Sequence, residues 1–119
     1  MDSFDVFRLM LDEYSSRILS LTEIKAMNAL ELSDALGIPI AACYRRIRAL
    51  KSAGMLREEN KAVSVGGKSV ATYRSTIETA QVMLRDGRLR VFIKANGESS
   101  ADEVDLSEEA TMLQWPKKE

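Results

Sequence analysis

Three arginines, Arg45, Arg46 and Arg48, fall within about one turn of a stretch free of helix breakers. Tyr44 stands beside them and Ala41 one turn earlier. A guanidinium is a rigid fork of donors that meets a carboxylate, a phosphate or the O6 and N7 of guanine with two bonds at once. The neighbourhood is basic as well. Residues 40–74 carry eight basic side chains (Arg45, Arg46, Arg48, Lys51, Arg57, Lys61, Lys68, Arg74) against Glu58 and Glu59, while the chain of 119 residues nets −1. The segments on either side are acidic. A positive centre between acidic flanks is the footprint of a surface for polyanions, and equally of a solvated face of mixed charge.

The remaining side chains exclude most other chemistry. There is no histidine, and Cys43 is the single cysteine. One chain therefore holds no disulfide, no zinc site of the usual nitrogen and sulfur kind, and no Ser-His-Asp or Cys-His nucleophile. Glu58-Glu59 and Glu108-Glu109 lie on segments that read as exposed, without a catalytic role. The expectation is a protein that is not an enzyme and takes no cofactor and no metal. Composition is ordinary for a globular domain, with 45% hydrophobic and 29% charged residues. No apolar run approaches the roughly 20 residues of a membrane span, and no secretory signal pattern is present. These features point to a cytoplasmic protein.

The arginines need a scaffold, and the chain supplies one in order. Phe7, Met10, Leu11, Tyr14, Ile18 and Leu21 recur at helical spacing, with Asp12-Glu13 as a break or a fresh start. Residues 22–27 read as a connection. Asn28 with Glu31 three residues on has the spacing of a capping box, and Gly37 stops the short helix that follows. Pro39 opens the next helix, over residues 39–53, and Gly54 closes it. At about 100° per residue, Cys43, Ile47 and Leu50 share its inner side. Ala41, Arg45, Arg48 and Ser52 lie opposite, and Tyr44 and Arg46 on the flanks. Cys43 on that inner stripe reads as a small core residue rather than a sensor thiol.

Beyond Gly54 the pattern turns extended. Gly66-Gly67-Lys68-Ser69 separates two strand-like runs, so residues 61–74 form a hairpin with a basic, glycine-rich tip. Asp86-Gly87 marks a second hairpin, over residues 77–95. Folding there pairs Arg85 with Arg88, Leu84 with Leu89, Val82 with Val91 and Ala80 with Ile93. Ala80, Val82, Leu84, Leu89, Val91 and Ile93 then share one face. From Asn96 the chain is polar and acidic, so residues 97–119 read as a tail, with Met112, Leu113 and Trp115 able to dock.

Two short helices about a glycine turn, followed at once by a basic hairpin, make a winged helix-turn-helix. The segments ALELSDALGIP (29–39) and CYRRIRALKSAGML (43–56) resemble winged-helix regulators of the ArsR-like superfamily, with a closer likeness to its archaeal branch. Asp12-Glu13-Tyr14 ahead of Ile18-Leu19, Tyr44-Arg45-Arg46, Tyr73-Arg74 and a terminal hairpin with Asp-Gly complete that likeness, over residues 3–95. The resemblance implies sequence-specific binding of double-stranded DNA by a homodimer that regulates transcription. It departs from the family in lacking the clustered cysteines and histidines of the metal sensors. It also has Ile40-Ala41-Ala42 where many relatives carry a Ser or Thr for phosphate.

The expected fold is α+β, a three-helix core with a wing and an additional C-terminal hairpin. Residues 1–96 form the domain and residues 97–119 an acidic tail. The helix over 39–53 enters the major groove, and the wing over 61–74 meets the backbone or minor groove. Ala41, Tyr44, Arg45, Arg46, Arg48, Lys61, Lys68 and Ser69 are the candidate DNA contacts. Phe4, Phe7 and Met10 with the apolar hairpin face suggest a homodimer. The alternative is a winged helix that binds protein within a transcription or chromatin assembly, since one fold hosts many functions.

Overall fold

The computed structural model of the chain describes residues 2–63, 66–67 and 69–107, and of residues 60–63 the backbone only. The N-terminal apolar stripe is split between two helices, α1 (Ser3–Met10) and α2 (Glu13–Ile24). Asp12 causes the break. Its side chain accepts the N–H of Ser15 at 2.9 Å and caps α2, an alternative partner for a donor that a continuous helix leaves to the backbone. Leu11 and Tyr14 consequently lie exposed instead of on a common buried face. Residues 22–27 are not merely a connection. α2 runs on to Ile24, and Met27–Asn28 form a short strand, β1.

α3 (Ala29–Leu36) begins with the expected capping box, both halves of it formed between Asn28 and Glu31 at 2.8 and 2.9 Å. It ends where Gly37 takes a φ of 68° and donates its N–H to Ser33. α4 (Ile40–Ser52) follows Pro39. Cys43, Ile47 and Leu50 are its buried residues, as the helical spacing predicts. β2 (Leu56–Val63) and β3 (Ser69–Ser75) pair as a hairpin, and β3 also pairs with β1 through Met27–Tyr73 and Asn28–Thr72. The helix-turn-helix with this small antiparallel sheet is a winged helix.

The second sheet differs from expectation in its extent. β4 (Ile77–Arg85) and β5 (Arg88–Ala95) pair in the anticipated register, from Arg85–Arg88 through Ala80–Ile93. The tail reading fails over residues 98–105, however, because Glu98–Asp105 form a third strand, β6, along β5. Its turn is Asn96-Gly97, with φ of 54° and 78°, the same double positive φ as Asp86-Gly87 at 53° and 77°. Only residues with little αL penalty tolerate that turn. Residues 108–119, with Met112, Leu113 and Trp115, lie outside the described residues.

Thr76 couples the two sheets. It donates its N–H to Met55 O and its hydroxyl to Gly54 O, and its carbonyl accepts from Asn96 N. α1 lies across β5 and β6, where Ser3 donates its N–H to Asp102. Val91, Ile93 and Ala95 thus join Val6, Ile18, Leu32, Ile47 and Leu50 in one core. Phe4, Phe7 and Met10 pack against that core, so the chain itself covers part of the surface expected for dimerisation. The molecule is drawn out to 57 × 29 × 21 Å.

Candidate nucleic-acid interface

α4 presents its polar side outward because its apolar stripe is anchored beneath. Ala41, Tyr44, Arg45, Arg48 and Ser52 are exposed, while Cys43, Ile47 and Leu50 have essentially no accessible surface. Among the described residues, Arg45 and Arg48 have no ion-pair partner.

Four further cations of the positive centre, Arg46, Lys51, Arg57 and Arg74, are engaged. Arg46 donates from Nε to Asp12 Oδ2 at 2.8 Å and from Nη2 to Oδ1 at 3.4 Å, and its guanidinium carbon stands 5.2 Å from the centre of the Tyr14 ring. Lys51 meets Glu58 at 2.9 Å and lies over the ring of Tyr73. Arg57 and Arg74 both reach Glu59, at 3.7 and 3.5 Å. These pairs tie the end of α4 to the base of the wing and neutralise charge that a sequence count leaves free. Of the candidates on the wing, Lys61 sits in β2 opposite Ala71, and exposed Ser69 opens β3 opposite Val63. Lys68 lies outside the described residues.

Arg46 therefore stands apart from the other candidates. Together with Asp12 it joins the start of α2 to the middle of α4, across 34 positions of sequence. The sequence reading missed this contact. In the sequence Asp12 marks a helix break and Tyr14 belongs to the N-terminal apolar stripe, both also within the family likeness, and no local spacing relates either to Arg46. The Arg46 bond is the largest cause that holds the Asp12 carboxyl down, at a pKa of about 2. A depressed carboxyl stabilises the fold above its unfolded pKa, near 4, and that contribution is lost as pH falls toward about 2. Asp12→Asn retains a good N-cap without the charge. The stability difference between wild type and variant is expected to shrink as pH falls from about 4 to about 2. Urea midpoints measured across that range check it, and a constant difference contradicts it.

Cys43 is fully buried, its Sγ 3.7 Å from the carbonyl of Ala29, and burial pushes its thiol pKa up. Such a thiol is a poor nucleophile. Cys43→Ala is expected to cost about 1–2 kcal/mol of stability through lost packing and to leave ligand binding by the folded protein unchanged. Paired melting and binding measurements test both halves.

A family model for a helix-turn-helix domain matches residues 10–59, from the end of α1 through α4 and into β2. The chain thus carries a helix-turn-helix domain, to which the second sheet is an addition. No curated protein matches the chain. Among the described residues, no helix is long and apolar enough to cross a membrane.

Proposed function

We propose that this helix-turn-helix chain is a transcription regulator that binds specific sequences in double-stranded DNA, without cofactor or catalysis. One observation carries the reading: Arg45 and Arg48 stand exposed on the outer side of α4 and, among the described residues, without an ion-pair partner, while Arg46, Lys51 and Arg74 are paired within the fold. α4 lies in the major groove, where Arg45 and Arg48 read base edges and Ala41 permits close approach. Tyr44 lies toward the sugar–phosphate backbone at the flank of the helix. Arg46 acts as a positioning residue that fixes α4 against α2. Lys61, Lys68 and Ser69 bring the wing to the backbone or minor groove. The protein works as a homodimer, so that two copies of α4 meet two half-sites. On this reading the protein is kin to the archaeal branch of the ArsR-like regulators and works in the cytoplasm, where its DNA would be.

Selection of bound sequences from random duplex DNA, at stated salt, tests the reading. Enrichment of a motif with paired half-sites is expected, with affinity falling as salt rises. Absence of enrichment together with salt-insensitive binding contradicts it. Exposed Leu30, Ile40 and Tyr44 favour the protein-interaction alternative, since apolar surface around a helix-turn-helix suits a protein partner. Failure of the selection shifts the assignment there.

A further inference from the structure

The two edges of the second sheet differ in chemistry. β6 carries Glu98, Asp102, Glu103 and Asp105, charges that discourage a foreign strand. β4 bears no charge from Thr79 to Leu84, and Val82, Met83 and Leu84 are 47%, 49% and 69% exposed. Among the described residues, β4 pairs only with β5. α1 packs over β5 and β6. Exposed apolar residues on both faces of an open, uncharged edge are a template for strand addition.

The turn at Asp86-Gly87 determines which backbone groups line that edge. A two-residue hairpin closes on a pair that exchanges both hydrogen bonds, here Arg85 with Arg88. Alternation makes Met83–Arg90 and Gln81–Phe92 bonded pairs, and leaves Leu84–Leu89, Val82–Val91 and Ala80–Ile93 unbonded. The N–H and C=O groups of Ala80, Val82 and Leu84 therefore point away from β5.

We propose that a second copy of this chain adds its own β4 to this edge, antiparallel about a two-fold axis through Val82, so that two three-stranded sheets become one of six strands. The axis sets Val82 against its copy, Ala80 against Leu84, Gln81 against Met83 and Thr79 against Arg85. Every residue in an outward-pointing position meets another such residue, so the hydrogen bonds fall in phase. Small Ala80 faces large Leu84, and no like charges meet within the uncharged run. This self-complementarity selects a second copy over an unrelated strand, because an isologous interface requires one patch to match itself. The pairing does not depend on DNA; only its use, to carry two copies of α4, rests on the regulator reading.

The test uses the full chain without DNA, so that its outcome is independent of that reading. Sedimentation at tens of micromolar is expected to show a dimer. Val82→Pro removes an outward N–H without touching the β4–β5 ladder, and Val82→Lys puts a charge at the axis. Each is expected to raise the dimer dissociation constant at least tenfold. Amide exchange adds a residue-level readout. The amides of Ala80, Val82 and Leu84 should be protected in the wild type, and those of Ala80 and Leu84 should exchange freely in Val82→Lys. Those of Gln81, Met83 and Arg85 should stay protected in both, which also shows that the variant is folded. A wild-type monomer overturns the proposal, including one whose edge amides are protected by its own chain. So does a dimer whose Ala80, Val82 and Leu84 amides exchange freely.

Discussion

Arg45→Ala and Arg48→Ala are each expected to reduce the ratio of specific to non-specific DNA affinity by about 1–3 kcal/mol, roughly 5- to 150-fold. Both side chains project from the exposed side of α4, opposite Cys43, Ile47 and Leu50, and neither is tied to a carboxylate among the described residues. A bidentate contact to one base is lost in each variant, so preference should blur at one position of the site and persist at the others. Lys68→Ala has a different signature. On the proposed reading its ammonium makes a phosphate contact, whose loss should weaken all sequences alike and lower the salt slope by roughly one. Arg46→Ala should separate from both, since its partner is Asp12: the fold loosens, while the preferred sequence stays the same. Competition titrations with selected and scrambled duplexes at several salt concentrations distinguish the three patterns. If Arg45→Ala, Arg48→Ala and Lys68→Ala all leave duplex binding untouched at moderate salt, the DNA reading fails.

Ile47→Ala carries the largest expected effect on stability, a loss of about 2–5 kcal/mol. Ile47 is 1% exposed and central to the stripe that seats α4 on the core. Removing three carbons there forfeits their transfer free energy and leaves a cavity, which close packing relieves only in part. Against a total stability of about 5–15 kcal/mol, this is a substantial fraction. Urea unfolding monitored by circular dichroism should show a lower midpoint with little change in slope. Ala49, about half a turn round on the exposed side, supplies the control: Ala49→Ser should change stability by less than about 0.5 kcal/mol. A loss below about 1 kcal/mol for Ile47→Ala would mean that α4 is not anchored through this stripe.

Short-range features were legible because their causes lie within a few residues. Asn28 and Glu31 satisfy each other's backbone donors one turn apart, and Gly37 ends the helix by taking a φ that other residues resist. The Asp86-Gly87 turn imposes a register, and the alternation of Val82, Leu84, Leu89 and Val91 agrees with it. The outward side of α4 followed from helical period alone. β6 was locally signalled too, by Asn96-Gly97, but its strand is rich in Glu, Asp and Ser. Without an apolar alternation, polar composition resembles a tail.

The sequence by itself determined the caps of α3, the helical stripe of α4 and the register of the β4–β5 hairpin, all set by local hydrogen bonds and side-chain period. Only the tertiary structure decided which arginines are available. Asp12 and Arg46 lie 34 residues apart and meet because α2 and α4 pack together. Glu59 meets Arg74 because β2 and β3 are paired across the wing. β1 exists because Met27 and Asn28 find β3 some 45 positions later. Charge acts through space and is silent about sequence distance, so a count of basic residues overstates the free positive surface until the fold has matched each cation with its carboxylate.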